Sequence, residues 1–379
     1  MSAPALRLAG ARVLGGAGWH HGTLALAGGW VVAEGEGRVV DASGFLVLPG
    51  IVDLHGDGFE RHLAPRRGAL RSLGHGLQAV EAELAANGIT TAWLAQSWSW
   101  EGGMRGPDFA RALCAALSEQ GATLDMRVQL RLDIACHDDF DAVRALVARY
   151  GIDYLALNDH LPHAALAQGK RPPRLDGQAI RAGRSPADHL ALMRRLHDEI
   201  PVARRKLGAL LATLTDVHIA SHDDDTPKRR AANRALGAII AEFPTTRETA
   251  LAARTAGDAG ILGAPNVVRG SSHDRGVSAR EMIEEGACDA LASDYHYPSL
   301  HHAAFALEEA GMPLAEAWAL ISSAPARIMG LNDRGTLAPG KRADIVIVEE
   351  ETRRIVGTLA AGRFAYLADP LAARLLAAR

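Results

Sequence analysis

Two imidazoles and three carboxylates fall within ten positions at the end of an apolar, partly β-branched run, Leu48-Pro49-Gly50-Ile51-Val52-Asp53-Leu54-His55-Gly56-Asp57-Gly58-Phe59-Glu60-Arg61-His62. Strand geometry sends alternate side chains to one face, so His55 and Asp57 project the same way. A nitrogen and an oxygen donor side by side at a strand end can seed a divalent-metal site. A solvated turn after a buried strand has the same local pattern, so the rest of the chain has to decide.

The elements that would position these residues alternate between two periodicities. Counting residues 48–54 as the first strand, apolar runs of strand type recur at 89–95, 126–134, 154–158, 217–220, 238–243, 260–262 and 290–292. Helical spacing separates them, as in Leu70, Leu73, Leu77, Val80 and Leu84, which stop at Asn87-Gly88. Further helices are expected over 107–120, 139–150, 186–214, 227–237, 247–256, 279–286, 302–310 and 314–329. Eight strands alternating with helices imply a parallel sheet, and eight points to a (β/α)8 barrel, with a doubly wound open sheet as the alternative. Short β-type segments before residue 48, and a turn and strands after Gly335, predict a small antiparallel sheet shared by the two ends. The expected domains are therefore 1–47 with 335–379, and 48–334.

Composition narrows the function. The 379 residues carry 41 basic and 44 acidic side chains, and this near-neutral balance argues against a nucleic-acid platform or a membrane-surface patch. No apolar run reaches the length of a membrane span, and no secretory leader pattern opens the chain, so a cytoplasmic location is expected. Cys114, Cys136 and Cys288 are odd in number, widely spaced and outside any CxxC pair, which fits neither a disulfide framework nor a thiolate zinc site.

In a (β/α)8 barrel the chemistry collects after the C-terminal strand ends. His55, Asp57, Glu60 and His62 follow the first strand, Asp133 and His137 the third, and Asn158, Asp159 and His160 the fourth. His222 to Asp225 follow the fifth, Glu242 ends the sixth, Asn266, Arg269 and His273 come after the seventh, and Asp294, Tyr295 and His296 after the eighth. Imidazole or carboxylate after six of eight strands is hard to obtain by chance. Neutral imidazole with carboxylate suits zinc, manganese or iron, one ion or two. Several residues have structural alternatives: Asp133 could pair with Arg131, Asp224 and Asp225 could serve a helix N-terminus, and Glu60 could pair with Arg61. Basic residues, among them Arg61, Arg66, Arg67, Lys170, Arg171, Arg174, Lys228, Arg229, Arg230 and Arg269, lie in loops after strands or just inside the next helix, a placement suited to a small anionic substrate. The stretch 263–273 reads as a glycine- and serine-bearing loop able to offer N–H groups to phosphate, without the lysine of an ATPase loop.

Leu48 to His55, together with Ser323-Ala324-Pro325-Ala326-Arg327 and the segment 335–348, resembles the opening and closing signatures of the amidohydrolase superfamily. The stretch 55–66, Ala220 to Thr226, Glu242 to Thr246, 263–273 and Ala292 to Tyr295 are similar to the branch in the carbon–phosphorus lyase (phosphonate utilisation) pathway that acts on α-D-ribose 1-methylphosphonate 5-triphosphate. The resemblance covers nearly the whole chain. It implies a metal-dependent barrel with a composite β-sandwich domain from both termini, and removal of pyrophosphate to leave a 5-phosphate. It implies metal ligation by His55, Asp57, His222 and Asp294, with Asp133 or Asp159 as the bridging acid and Asp294 and His222 catalytic; His160, after the fourth strand, joins the expected ligands. Glu60, His62, Arg66, Arg269, His273 and Tyr295 would bind substrate. Asp57 and Glu242 stand where the superfamily more often has His. Gly56, Gly58-Phe59, 67–70, 272–276 and His296 depart from the branch at positions that would line the substrate.

The expectation is thus a metal-dependent hydrolase of phosphoanhydrides; the alternative on the same site is hydrolysis or deamination of a C–N bond in a related, phosphorylated compound. A small anionic phosphorylated substrate is the expected partner, with no nucleic acid and no membrane, and a homo-oligomer is left open.

Overall fold

The computed structural model describes residues 3–16, 18–64, 72–270 and 277–378. Among these residues, sixteen strands form two sheets. β1 (Leu6–Gly15), β2 (Gly18–Ala27), β3 (Trp30–Val32), β4 (Arg38–Asp41) and β5 (Phe45–Pro49) lie in the N-terminal segment. The middle of the chain carries β6 (Ile51–Gly56), β7 (Ile89–Trp98), β8 (Asp125–Asp133), β9 (Tyr154–Asn158), β10 (His218–His222), β11 (Ile240–Glu242), β12 (Ala259–Gly263) and β13 (Ala290–Ala292). β14 (Ile345–Glu349), β15 (Ile355–Ala360) and β16 (Arg363–Leu367) close it.

The eight middle strands pair in sequence order from β6 to β13, and the registers are parallel. A parallel bridge between Gly56 and Asp294 joins the first strand's end to the last, so the sheet is a nearly closed barrel. Its strands are buried on both faces; β7 is buried at all ten positions, the continuous apolar pattern of a parallel sheet covered by helices. Crossover helices such as Leu73–Ala86, Pro107–Glu119, Phe140–Tyr150 and Pro186–Leu211 make the parallel connections. The chain separates into two compact units, Met1–Leu94 with Gly121–Arg127 and Ile261–Arg379, and Ala95–Gln120 with Val128–Gly260.

Both ends of the chain build the second sheet, in the order β16-β15-β14-β5-β1-β2-β3 with β4 on β1. The expected antiparallel sheet is in fact mixed: β1 runs antiparallel to β2 but parallel to β4 and β5. Leu8, Leu26, Val47, Ile345 and Leu359 form its core, and Leu371 of a C-terminal helix, Asp369–Ala377, packs there too.

Three expected elements are redrawn. The expected first barrel strand, 48–54, divides at Gly50. Leu48 and Pro49 pair with β14 in the terminal sheet, and the barrel strand begins at Ile51. A Cβ on Gly50 would lie 2.3 Å from Thr90 Oγ1 and 2.9 Å from Asp344 Cβ, so only glycine allows the chain to pass between the two sheets there. The helix expected over 314–329 splits into Leu314–Ala319 and Ser323–Ile328. Pro325 has no N–H for the Ile321 carbonyl, which instead accepts from Val52 N–H of β6 at 2.9 Å. The stretch 263–273 is not a continuous loop, because Ala264–Arg269 is helical. No helix among the described residues is long and apolar enough to cross a membrane.

Candidate active site

In the first unit, ligand atoms of His55, Asp57 and Asp294 all lie within 4.8 Å of one another. Backbone pairing brings them together: Asp294 N–H donates to His55 O at 2.9 Å and Asp57 N–H to Asp294 O at 2.8 Å. Beneath them the buried Asp53 carboxylate accepts from His55 N–H (3.3 Å), Ser293 N–H (3.0 Å) and Ser293 Oγ–H (2.5 Å). Burial pushes the Asp53 carboxyl up, and the Ser293 bonds oppose that shift. One side chain thereby ties together the two strand ends that carry the cluster. The glycine at 56 has a steric cause, since a Cβ there would meet Tyr297 Cε1 at 2.6 Å and Asp53 Oδ2 at 2.8 Å. Asp294 sits at φ 55°, a left-handed conformation rare outside glycine, Asn and Asp and one that costs free energy at functional sites.

The rim of this cluster holds several expected substrate residues. Glu60 opens the short helix Glu60–Leu63, and its N–H donates to Asp57 O. His62 is bonded through Nε2 to Glu83, which also takes Arg61. The Glu60–Arg61 pair weighed from the sequence is thus replaced by Arg61–Glu83. Arg269 Nη1 donates to the Tyr295 hydroxyl at 2.6 Å, and both side chains are exposed. Arg66 and His273 lie outside the described residues.

In the second unit, Asp133 is fully buried at the end of β8. Its Oδ1 accepts from Ala135 N–H (3.1 Å) and its Oδ2 from His160 N–H (3.4 Å). It does not pair with Arg131 as one sequence alternative had it. Burial and the nearby Asp159 charge push its carboxyl up to about 8. A buried carboxyl held that high is short of positive charge, a condition a bound cation would relieve. His160 goes the other way, lowered to about 4 by burial and by Arg131. Asp159 turns toward His163 Nε2 at 2.9 Å; burial opposes its ionised form, but His163 wins and lowers its carboxyl.

His222 is the last residue of β10, inside the strand rather than after it. Its Nδ1 lies 2.9 Å from Asp223 Oδ2, and its Nε2 3.3 Å from Arg131 Nη2. A guanidinium only donates, so Nε2 is the acceptor in that contact. Asp223 and Phe243, flanking the ring, are both left-handed, at φ 58° and 50°. Asp223 is held well below the usual carboxylate range: burial opposes this, but the adjacent His222 outweighs it. Glu242, noted at the sixth strand's end but left out of the expected ligand set, is the register partner of His222, and the two offer ligand atoms within 4.8 Å. Tyr154 O–H and Gln129 Nε2–H donate to its Oε1. The signal for Glu242 was its position at a strand end; its two donors come from strands 88 and 113 residues away and were invisible. A separate group, His137, Asp138 and Glu199, also lies within ligand distance, but Arg195 and Lys206 already serve Asp138.

The Asp133 carboxyl makes a pH prediction. Its folded value of about 8 exceeds the unfolded value near 4, so the stability it contributes is present at low pH and lost as pH rises through 8. In metal-stripped protein, Asp133→Asn should therefore raise Tm over wild type by about 5 °C at pH 9 and by much less at pH 4. Equal Tm differences at the two pH values would remove this account of Asp133.

The parallel eight-stranded barrel carries imidazole and carboxylate at its strand ends, and the amidohydrolase family model matches residues 59–366. The chain belongs to the amidohydrolase family. It is 30% identical over 340 residues to the α-D-ribose 1-methylphosphonate 5-triphosphate diphosphatase of Escherichia coli K12, across 85% of this chain and 89% of that protein. Two solved structures show the same fold. One is the β-aspartyl dipeptidase of Fervidobacterium islandicum AW-1 (TM-score 0.60, 16% identity, 96% of this chain and 97% of that chain). The other is the N-acetylglucosamine-6-phosphate deacetylase of Pasteurella multocida (TM-score 0.60, 10% identity, 95% and 99%).

Proposed function

We propose that this enzyme hydrolyses a phosphoanhydride, converting α-D-ribose 1-methylphosphonate 5-triphosphate to its 5-phosphate with release of pyrophosphate. The observation that carries the hydrolytic reading is the convergence of His55, Asp57 and Asp294. The choice of bond rests on the similarity to the Escherichia coli diphosphatase.

One nitrogen and two carboxylate donors without a thiolate fit a divalent ion, zinc first, with manganese or iron compatible. Such an ion, when bound, supplies a lowered water pKa and polarises a phosphoryl oxygen. His55, Asp57 and Asp294 would hold it. Asp294 takes the proton from the attacking water as general base. Water adds across the α,β-anhydride, and pyrophosphate leaves with the bridging oxygen. His222, whose ring lies beside the Asp223 carboxylate, is the second catalytic residue in this reading. At the rim, Arg269 bonds the Tyr295 hydroxyl and makes no ion pair among the described residues, so its charge is available to the triphosphate. Glu60, His62 and Tyr295 border the same rim. The reading is tested with metal-loaded enzyme and this ribosyl triphosphate: pyrophosphate should appear in step with substrate loss. Orthophosphate alone, or ammonia or an amine from C–N substrates with no pyrophosphate from the triphosphate, would overturn it.

A further inference from the structure

A cavity of about 310 Å³ opens in the second unit beside the ends of β7 and β9. Arg105, His160, Pro162, Pro172, Arg174 and Gln178 line it, with Glu101 in its wall. We propose that it is a recognition subsite for a phosphonyl or phosphoryl ester group that is not the one hydrolysed. This deepens the reading above and rests on it: the group would be the substrate's methylphosphonate end.

Charge is the first argument. Glu101 is the lining's only carboxylate, and it is already satisfied, accepting from Arg105 Nη1 and Gln178 Nε2, each at 2.9 Å. Arg174 is exposed and makes no ion pair among the described residues. The lining therefore carries a positive charge in excess, on a guanidinium whose fork matches two oxygens of one phosphonate.

Hydrogen bonding is the second. His160 lines the cavity with its side chain three-quarters buried, and among the described residues its Nδ1 has no hydrogen-bond partner; the nearest carboxylates there, on Asp133 and Glu101, stand at 3.6 and 3.9 Å. A buried polar atom left unpaired costs free energy that an oxygen ligand would recover. Shape is the third. Pro162 and Pro172 present ring faces without N–H donors, a wall that accepts a methyl substituent while Arg174 holds the oxygens. The cavity also adjoins the strand ends, because His160 N–H donates to Asp133 Oδ2 at 3.4 Å. A molecule with one end in the cavity would lie against that carboxylate.

The test compares two substrates on the full, metal-loaded enzyme: ribose 5-triphosphate with and without the 1-methylphosphonate group. Wild type should favour the phosphonate-bearing compound in kcat/KM. Arg174→Ala should shrink that preference about tenfold, mainly through KM, and Arg174→Lys should restore part of it. An unchanged preference would overturn the subsite. Should neither compound be hydrolysed, the phosphoanhydride reading fails and direct binding judges the cavity. Methylphosphonate and inorganic phosphate are then titrated calorimetrically into wild type and Arg174→Ala. Weaker methylphosphonate binding in the variant supports the subsite, and a loss confined to inorganic phosphate identifies a phosphate pocket that does not take the methylphosphonate end and overturns it. Identical titrations also overturn it.

Discussion

The Asp294→Asn variant should lose about 10³-fold in pyrophosphate release, with its circular dichroism spectrum and Tm close to wild type. The size follows from general-base catalysis, where a positioned carboxylate contributes about 10²–10⁴-fold and an amide cannot accept the proton. The substitution separates chemistry from architecture. Asn tolerates the left-handed φ of 55° found here, as Ala would not, and it keeps both backbone bonds to His55 and Asp57. Its amide oxygen remains a neutral donor, so metal content measured by elemental analysis should fall little. Retained turnover would take the base role from Asp294. Loss of turnover together with loss of metal would show that the carboxylate's first duty is ligation.

The second large effect lies in a buried network behind β10 and β11. Arg230 is 1% exposed, and its guanidinium donates to Ser221, to Asp224 Oδ2 (3.2 Å) and to the carbonyls of Ala238 and Ile240. Its Nε stands 3.3 Å from Asp258 Oδ2. Asp224 takes further donors from Ser221 and from Asn233 Nδ2 at 2.7 Å. Removing the cation leaves Asp258 to Arg234 alone and leaves Asp224 only Arg229 at 3.8 Å beyond its neutral donors, a loss of about 3 kcal/mol. Arg230→Ala should therefore lower stability by that amount in urea or thermal unfolding. Arg230→Lys should recover less than half, because a single ammonium cannot reach the same carbonyls. A double variant, Arg230→Met with Asp224→Asn, should be less unstable than the two single losses added, since one removal relieves the other. A loss under 1 kcal/mol for Arg230→Ala would mean that water enters and replaces the cation. From the sequence Arg230 was one of several basic residues available to an anionic substrate; the structure assigns its charge to Asp224 and Asp258 instead.

Periodicity alone was enough to find the barrel. Eight short apolar runs separated by helical spacing leave few ways to bury both faces of each strand, and the parallel barrel satisfies them. Arg247–Ala256 and Tyr154–Asn158 match the expected bounds, because an N-cap threonine and a C-terminal glycine mark the helix and a flanking glycine and asparagine mark the strand. The pairing of His55 with Asp57 was legible for the same local reason, a two-residue period at a strand end. Asp294 joins them only because the last strand returns to the first, across 240 residues between Asp53 and Ser293. No local pattern encodes which side chains face each other over such distances. Glu242 held by Tyr154 and Gln129, His222 set between Asp223 and Arg131, and Gly50 passing between two sheets were decided in three dimensions by steric fit and by the need of buried polar groups for partners. Local periodicity determined which residues stand at strand ends, and tertiary packing decided which of them share a proton, a charge or a cavity.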